Sequence, residues 1–439
     1  MNDYDYRFET KRVVFVIDTK SFYASVEAVA RGLYPMKVPL VVVSKGPNVG
    51  GGGLVLATSP MAKKRYGLKH NVSRLKDLQG LPDLIQVPPR MNHYIDINLA
   101  INKIYRQYVA DQDWHPYSID ESLLDMTDTW EFFGSTPQVV ARKIQLDVHA
   151  QTGLYTTVGI GDNPTLAKIA LDLYAKHDPS FIGDLHFETV PEKLWPINQL
   201  DRIWSIGHRT AHKLNQMGIY SMGDLAHANP FRLRKVFGPQ NGLRLYALAW
   251  GVDRTLIREK VVPASQSLGN SQILPHPYTD INDIRIVLQE IVAQVATRLR
   301  QQHLLAGTIS IQINSFTTRQ QWQQTQRLAT PTNVTQILQR HAAVLLTQHW
   351  QSGVAQQLAV YFGELSSDTV TQLDLFNTPA TLAKQQQLDQ AIDQIRQRFG
   401  LTKLVYGASL DAAATAISRA NLVGGHQGGQ VNDSTIPKL

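Results

Sequence analysis

The 439-residue sequence contains no cysteine. Disulfide bonds, thiol catalysis and zinc sites of the usual thiolate kind are therefore excluded. The sequence also lacks a run of about 18 unbroken apolar residues, which a membrane helix needs, and its start, MNDYDYRFETKR, has no apolar signal core. We therefore expect a soluble, unexported, cytoplasmic protein with no membrane partner.

Charged residues are also sparse, at 18% of the chain, but their balance is uneven. The net charge of +7 and the pI near 9.3 indicate an anionic partner. Between residues 200 and 260 ten basic side chains meet four acidic ones, which gives this segment +6. The basic residues are Arg202, Arg209, Lys213, Arg232, Arg234, Lys235, Arg244, Arg254, Arg258 and Lys260. Such a segment is typical of a surface that binds a nucleic-acid backbone.

The chain is too long for a single core, since domains usually span ~100 to 200 residues. Up to residue 175, apolar strands alternate with helices, including one predicted over 100–110, which indicates a mixed α/β unit. From about residue 182 short helices interrupted by Gly and Pro follow. The segment 263–365 predicts the order β-α-β-β-α-β of a separate small domain. A Gln-rich helix and a Gly-rich tail, expected to be mobile, end the chain.

Three acidic residues are candidates for chemistry. Asp18 ends the apolar strand VVFVI, and Asp120 and Glu121 lie side by side between the apolar halves of YSIDESLLDM. Buried carboxylates repel each other unless a cation neutralises them, and Mg²⁺ prefers such oxygen ligands. Two such ions about 4 Å apart can activate a hydroxyl and stabilise a leaving pyrophosphate. On the acids alone, however, solvated strand ends are the simpler interpretation.

The motifs around these acids favour the metal interpretation. DTKSFYASVE (18–27), YSIDESLLDM (117–126) and VGIGDNPTLAKIA (158–170) occur in this order, and three ordered motifs are far more specific than one. With these motifs the chain resembles the Y-family translesion DNA polymerases. It looks most similar to the UmuC-like (ImpB/MucB/SamB) branch of Gram-positive bacteria, from about residue 12 to at least residue 376.

The resemblance implies an α/β and α+β multidomain fold shaped as a right hand. The implied domains are a palm (1–21 and 91–175), small fingers (22–90), a helix-hairpin-helix thumb (176–258), a β-α-β-β-α-β little finger (263–365) and a clamp-binding and C-terminal region (366–439). The implied reaction is low-fidelity, template-directed DNA synthesis across damaged DNA. In it a primer 3′-hydroxyl attacks the α-phosphate of a dNTP, and pyrophosphate leaves.

The same resemblance implies roles for the residues of the three motifs. Asp18, Asp120 and Glu121 match the catalytic carboxylates that bind two Mg²⁺ ions, for which Mn²⁺ substitutes. Thr19 would add its backbone carbonyl as a further metal ligand. All four residues lie in the quoted motifs.

Five residues are candidates for contact with the incoming nucleotide: Phe22, Tyr23, Lys63, Lys64 and Lys168. Tyr23, next to Phe22, matches the steric gate whose ring collides with a ribose 2′-hydroxyl. Lys168 matches a lysine that contacts the triphosphate, a role that suits a compact cation. In the fingers motif ATSPMAKKRYG, either Lys63 or Lys64 fills a second such role, and the sequence leaves that choice open.

Two further segments imply macromolecular partners. IWSIGHRTAHKLNQMGI resembles a helix-hairpin-helix in which Gly207, Arg209 and Lys213 hold a DNA phosphate. QLDLF matches the short peptide that docks bacterial polymerases onto the sliding clamp through Gln372, Leu373, Leu375 and Phe376. Primer-template DNA, a dNTP and the clamp are thus the implied partners, with accessory SOS proteins or a recombinase as further candidates.

Three alternatives stay open beside this interpretation. A catalytically inactive DNA-binding scaffold of the same fold would lose metal ligands, whereas all three acids are present here. A nucleotide cyclase can share a palm with paired acids but has no need for a basic hairpin or a clamp peptide. A simple DNA-binding protein would explain the charge and leave the apolar-flanked acids unexplained.

Overall fold

The structure is a computed structural model that describes residues 5–45, 53–259, 266–369 and 379–429. Its strands are β1 (Val14–Thr19), β2 (Leu40–Ser44), β3 (Leu54–Thr58), β4 (Ile85–Val87), β5 (Trp114–Pro116), β6 (Glu121–Asp125), β7 (Thr156–Gly161), β8 (Ile182–Leu185), β9 (Leu268–Tyr278), β10 (Leu304–Ser315), β11 (Gln320–Thr332), β12 (Ala355–Gly363), β13 (Ser366–Ser367), β14 (Leu422–Val423) and β15 (His426–Gln427). Its α-helices are α1 (Phe22–Val29), α2 (Pro60–Tyr66), α3 (Met91–Tyr105), α4 (Pro137–Thr152), α5 (Pro164–Ala170), α6 (His208–Gln216), α7 (Met222–Ala226), α8 (Pro230–Phe237), α9 (Pro239–Ala249), α10 (Ile281–Gln301), α11 (Thr335–His349), α12 (Pro379–Phe399) and α13 (Ala416–Arg419).

Short 3₁₀ and π turns connect these elements. The 3₁₀ turns are Tyr6–Phe8, Leu75–Leu78, Asp111–Asp113, Trp130–Phe132, Phe187–Thr189, Leu200–Arg202, Leu401–Lys403 and Gly407–Leu410, and the π turns are Leu171–Ala175 and Val190–Leu194. None of the described helices combines the length and apolar character needed to cross a bilayer.

The palm is a five-stranded sheet in the order β5-β6-β1-β7-β8. Its central strand β1 is antiparallel to both neighbours and is buried on both faces, because Phe15 and Ile17 pack under α3 and α4 while Val14 and Val16 pack under α5. Gly159 on β7 lets α5 approach closely, since a Cβ there would lie 2.1 Å from a helix carbonyl. Burial on both faces explains why β1 reads as a continuous apolar run.

The palm differs from the prediction at three places. Strand β8 pairs parallel to β7 and belongs to the palm sheet, so the palm extends past residue 175 to residue 185 and the predicted start of the thumb at 176 is wrong. A four-residue strand that contains a glycine and an aspartate carries little sequence signal. The helix predicted over 100–110 instead spans α3, and α4 was not predicted.

The fingers are the three-stranded sheet β3-β2-β4 with helices α1 and α2. Helix α1 belongs to two cores, because Phe22 and Val26 pack into the palm while Ala24 and Ala28 pack against β2. Residues four apart share a helix face, so successive stripes of α1 face different domains. Helix α1 therefore joins the fingers to the palm sheet.

The thumb consists of α6 to α9, and its core continues into the palm. Leu214, Leu233 and Leu245 pack with Leu166 and Ile169 of α5 in one apolar cluster. The palm helix that begins after the GDNP turn thus also positions the thumb.

The little finger is the antiparallel sheet β11-β10-β12-β9, packed against α10 and α11. Its element order is β-α-β-β-α-β, which confirms the prediction. Alternate residues of β11 are exposed, which places Gln321 and Gln323 on the open face of the sheet, while Trp322 packs against the core.

The described part of the C-terminal region packs against two domains, which corrects the expectation of a mobile tail up to residue 429. Its Gly-rich end lies against the palm, where the N–H of Asn92 on α3 donates to the Gly428 carbonyl at 2.9 Å. The segment before it packs against the little finger. Arg300 of α10 pairs with Asp389 and Asp393 of α12 at 3.2 and 2.6 Å. The buried Glu290 accepts hydrogen bonds from the backbone N–H of Thr415 and Ala416. Glycine content alone could not reveal these tertiary contacts.

Candidate active site

The site begins with the pairing of the two central palm strands. In the register of β1 and β6, Asp18 lies directly opposite Glu121, and the N–H of Thr19 donates to the Asp120 carbonyl at 2.9 Å. The turn before β6 is held by the Ser118 hydroxyl, which donates to an Asp120 oxygen at 2.8 Å. Because β1 ends where the antiparallel β6 begins, the three acids lie together at one end of the sheet.

Each of the three carboxylates has its own polar partner. Asp18 Oδ2 lies 3.7 Å from Lys176 Nζ, and its Oδ1 accepts from the Thr157 hydroxyl at 3.3 Å. Glu121 pairs with Lys168, whose Nζ also lies 3.3 Å from Asp172. The two lysines therefore offset part of the carboxylate charge in this structure.

Asp18 nonetheless holds its proton unusually tightly. The pKa of Asp18 is raised from its ordinary 3.8 to about 6, chiefly by burial and also by the negative charges of Asp120 and Glu121, against the attraction of Lys176. An ionised Asp18 is thus under-compensated, and a cation beside it would lower that pKa.

The donor set fits a hard divalent cation, although the side chains point to other partners. Within the described ranges, no three carboxylate or imidazole groups converge closely enough to hold a metal ion as they stand. Glu121 is held by Lys168, while Asp18 and Asp120 both line the adjoining cleft. Metal binding would need Glu121 to turn from its lysine toward Asp18, its opposite residue on β1.

A cleft of about 870 Å³ lies between the acids and the fingers. It is lined by Asp18, Thr19, Lys20, Ser21, Phe22, Tyr23, Leu56, Ala57, Thr58, Pro60, Lys63, Lys64, His70, Asn71, Ile119, Asp120, Lys176 and His177. Both Lys63 and Lys64 line it and are exposed, so the choice between them stays open. Four lysines in one cleft suit a polyphosphate.

Lys168 occupies a different place from the one its predicted role needs. It is 8% exposed, its ammonium is held by Glu121 and Asp172, and it is not among the residues that line the cleft. Lys176, two turns further along, lines the cleft and pairs with both Asp18 and Asp172. Sequence reasoning missed Lys176, whose signal is the Lys-Asp-Lys ladder at i, i+4 spacing on one helix face.

The predicted DNA-binding residues of the thumb lie along the exposed helix α6, Gly207 and Arg209 at its start and Lys213 in its last turn. Gly207 is the N-cap of α6 and supplies no side-chain hydrogen bond to it, and Arg209 and Lys213 are exposed on that helix. A Cβ at Gly207 would meet nothing within 4 Å, so packing does not require the glycine. The start of α6 is thus exposed and carries one cation, Arg209, as a phosphate site needs, and Lys213 adds charge further along the helix.

Part of the +6 charge of residues 200–260 is neutralised by ion pairs within the protein. Arg254 pairs with Glu9, and Arg258 pairs with Asp113 and Asp128. These two arginines tie the end of the thumb to the N-terminal segment and the palm. The predicted clamp-binding residues Gln372, Leu373, Leu375 and Phe376 and the basic residue Lys260 lie outside the described residues.

Comparison with known families matches three parts of the chain. Residues 17–172 match the impB/mucB/samB family, residues 265–375 match the C-terminal domain of that family, and residues 201–253 match the thumb domain of DNA polymerase iota. The three matches fall on the palm and fingers, the little finger and the thumb.

Two similar proteins come from Bacillus subtilis (strain 168). One, named provisionally as the UV-damage repair protein UvrX, is 35% identical over 425 residues, 96% of this chain and 99% of its own. The other, DNA polymerase IV 2, is 35% identical over 420 residues, 95% of this chain and 99% of its own. A solved Y-family DNA polymerase chimera, Dbh-Dpo4(243-245)-Dbh, has the same fold at a TM-score of 0.65 and 24% identity, covering 80% of this chain and 98% of that one.

The fold and the acid-lined cleft define a right-hand polymerase with small fingers and a little finger. The chain belongs to the impB/mucB/samB family, the Y-family DNA polymerases, whose members are DNA-directed DNA polymerases that use divalent metal ions.

Proposed function

We propose that this chain extends a DNA primer on a damaged template, adding nucleotides from dNTPs with release of pyrophosphate. The observation that supports it best is the placement of Asp18 opposite Glu121, with Asp120 beside them, at one end of a cleft that also holds Tyr23. The acids would lie at the reacting phosphate of a nucleotide, the Tyr23 ring at its sugar, and the lysines of the cleft at its polyphosphate.

In this proposal the chain's own residues position the reactants. The lysines of the cleft hold the triphosphate, with Lys176 in the role first expected of Lys168 because it reaches the cleft. Tyr23 lies under the sugar and excludes a 2′-hydroxyl. Asp18, Asp120 and Glu121 would hold two Mg²⁺ or Mn²⁺ ions, with Thr19 adding its carbonyl, and these ions would activate the 3′-hydroxyl and neutralise the leaving group. Catalysis is then chiefly positioning and charge neutralisation.

The proposed partners follow from the same arrangement. The exposed arginines and lysines of the thumb, Arg209 and Lys213 among them, suit the backbone of primer-template DNA and carry no sequence preference. Residues 372–376 would dock on a sliding clamp, and activity in the SOS response with accessory proteins or a recombinase would place the enzyme in the cytoplasm. Small fingers leave room for distorted bases, which supports synthesis across lesions.

Primer extension tests the proposal directly. Wild type is compared with Asp120→Asn on undamaged and abasic templates with Mg²⁺, and Glu131→Gln, an exposed acid in a 3₁₀ turn, is the matched control. We expect metal-dependent extension by wild type and the control and none by Asp120→Asn. DNA binding by fluorescence anisotropy is measured in parallel. Wild type that binds DNA but never extends it, even with the clamp present, would instead support the inactive scaffold.

A second assay tests the gate. We expect Tyr23→Ala to accept ATP in place of dATP opposite a template T, while Tyr23→Phe, which keeps the ring, continues to reject it. Equal discrimination by all three proteins would rule out Tyr23 as the gate.

A further inference from the structure

The ring of Tyr23 is held from behind by a second tyrosine. Tyr94 of α3 stacks on it with the ring centroids 4.4 Å apart and the planes 17° apart. Phe22 lies against both rings, at 5.6 Å from Tyr23 and 6.4 Å from Tyr94. Since Tyr23 is only half-buried and lines the cleft, this stack sets how far its ring can move away from a bound sugar.

Tyr94 is itself fixed by a buried carboxylate. Its side chain is 0% exposed, and its hydroxyl donates to Glu27 Oε1 at 2.8 Å. Burial and the Glu27 charge raise the pKa of Tyr94, so its hydroxyl keeps the proton that it donates. Glu27 lies four residues after Tyr23, on the same face of α1. Tyr94 therefore contacts α1 at two points one turn apart.

Glu27 is held in turn by two arginines. It is 0% exposed, and Arg90 binds it in a bidentate pair, Nε to Oε1 at 2.8 Å and Nη2 to Oε2 at 2.9 Å. Arg31 also donates to Glu27. A buried ion pair of this kind contributes little net stability relative to apolar packing, so geometric specificity is the better reason for such a network.

Resting on the proposed role of Tyr23 as the gate, we propose that Tyr94, Glu27 and Arg90 are positioning residues for sugar discrimination. They hold the gate ring at the depth at which it meets a 2′-hydroxyl, and they do not touch the nucleotide themselves. Loss of the stack lets the ring retreat and admits ribonucleotides, while dNTP use changes less.

The test measures kcat/KM for dATP and for ATP in single-nucleotide insertion. We expect Tyr94→Leu to lower the dATP/ATP ratio about 3- to 10-fold, as the loss of one aromatic stack implies. Tyr94→Phe and Glu27→Gln, which keep the ring but weaken its anchor, should lower it less. Tyr108→Leu is the matched control: this buried palm ring contacts Phe133 instead, and its loss should leave the ratio unchanged.

A double-mutant cycle separates positioning from general damage. In a Tyr23→Ala background, Tyr94→Leu should have no further effect on the ratio, because there is no gate ring left to position. An equal effect in both backgrounds, or an unchanged ratio in Tyr94→Leu and Tyr94→Phe alike, would overturn the inference. If Tyr23→Ala itself leaves the ratio unchanged, the proposed gate fails first, and that outcome is distinct from failure of Tyr94 alone.

Discussion

Replacing Asp18 by asparagine should stabilise the palm while abolishing catalysis. Burial and the charges of Asp120 and Glu121 keep the pKa of Asp18 near 6 in the folded protein, against 3.8 for an ordinary aspartate. A tenfold change in a dissociation constant corresponds to about 1.4 kcal/mol, so the ionised carboxylate costs the folded state about 3 kcal/mol at pH 7.5. The amide that Asp18→Asn introduces is neutral at every pH and avoids this cost.

The stability difference between Asp18→Asn and wild type should depend on pH. Because the folded pKa is raised, the favourable neutral form is fully present below about pH 3.8 and is lost as the pH rises through about 6. The advantage of Asp18→Asn over wild type should therefore be about 3 kcal/mol at pH 7.5, roughly half of that at pH 5, and near zero close to pH 3.8.

Hydrogen exchange of β1 and β7 peptides without divalent ions measures the opening free energy of the palm locally. Asp96→Asn, an exposed acid on α3, is the control and should change it by less than about 0.5 kcal/mol. Asp18→Asn that is no more stable than wild type at pH 7.5 would refute the reasoning. Adding Mg²⁺ should stabilise wild type and remove its difference in opening free energy from Asp18→Asn, because a ligand that binds only the folded state stabilises that state.

Four further outcomes are expected from changes in the cleft, the thumb and the C-terminal region. Lys176→Ala should raise the KM for dNTP about 10-fold in steady-state kinetics. Lys168→Ala should mainly lower palm stability by about 3 kcal/mol, since it leaves the largely buried Glu121 without its ion-pair partner, whereas Asp172 keeps its pair with Lys176. Replacing Arg209 and Lys213 by alanine should reduce the slope of log Kd against log salt by about 2 in DNA-binding titrations. Arg300→Gln should expose α12 to limited proteolysis while the little finger stays folded, because it breaks the pairs with two aspartates.

Much of the fold could be predicted because its signals are local. The run VVFVI indicates a strand buried on both faces, and β1 is such a strand. The amphipathic patterns of the little finger predict α10, α11 and the strands beside them, which the structure contains. Strand β8 was missed because four residues with a glycine and an aspartate carry no such pattern, and only pairing with β7 makes them a strand.

The three acids and Tyr23 could be singled out as candidates because they lie in ordered motifs that resemble those of a known family, and their roles stay predictions. Which lysine reaches the cleft depends instead on the tertiary fold, because Lys168 and Lys176 lie on the same segment and differ in what packs around them. The fold also places Tyr94 behind Tyr23, a contact between helices 71 residues apart in the chain. Local sequence patterns indicate which chemistry a residue can perform, whereas the packing of segments distant in the chain determines which groups surround it.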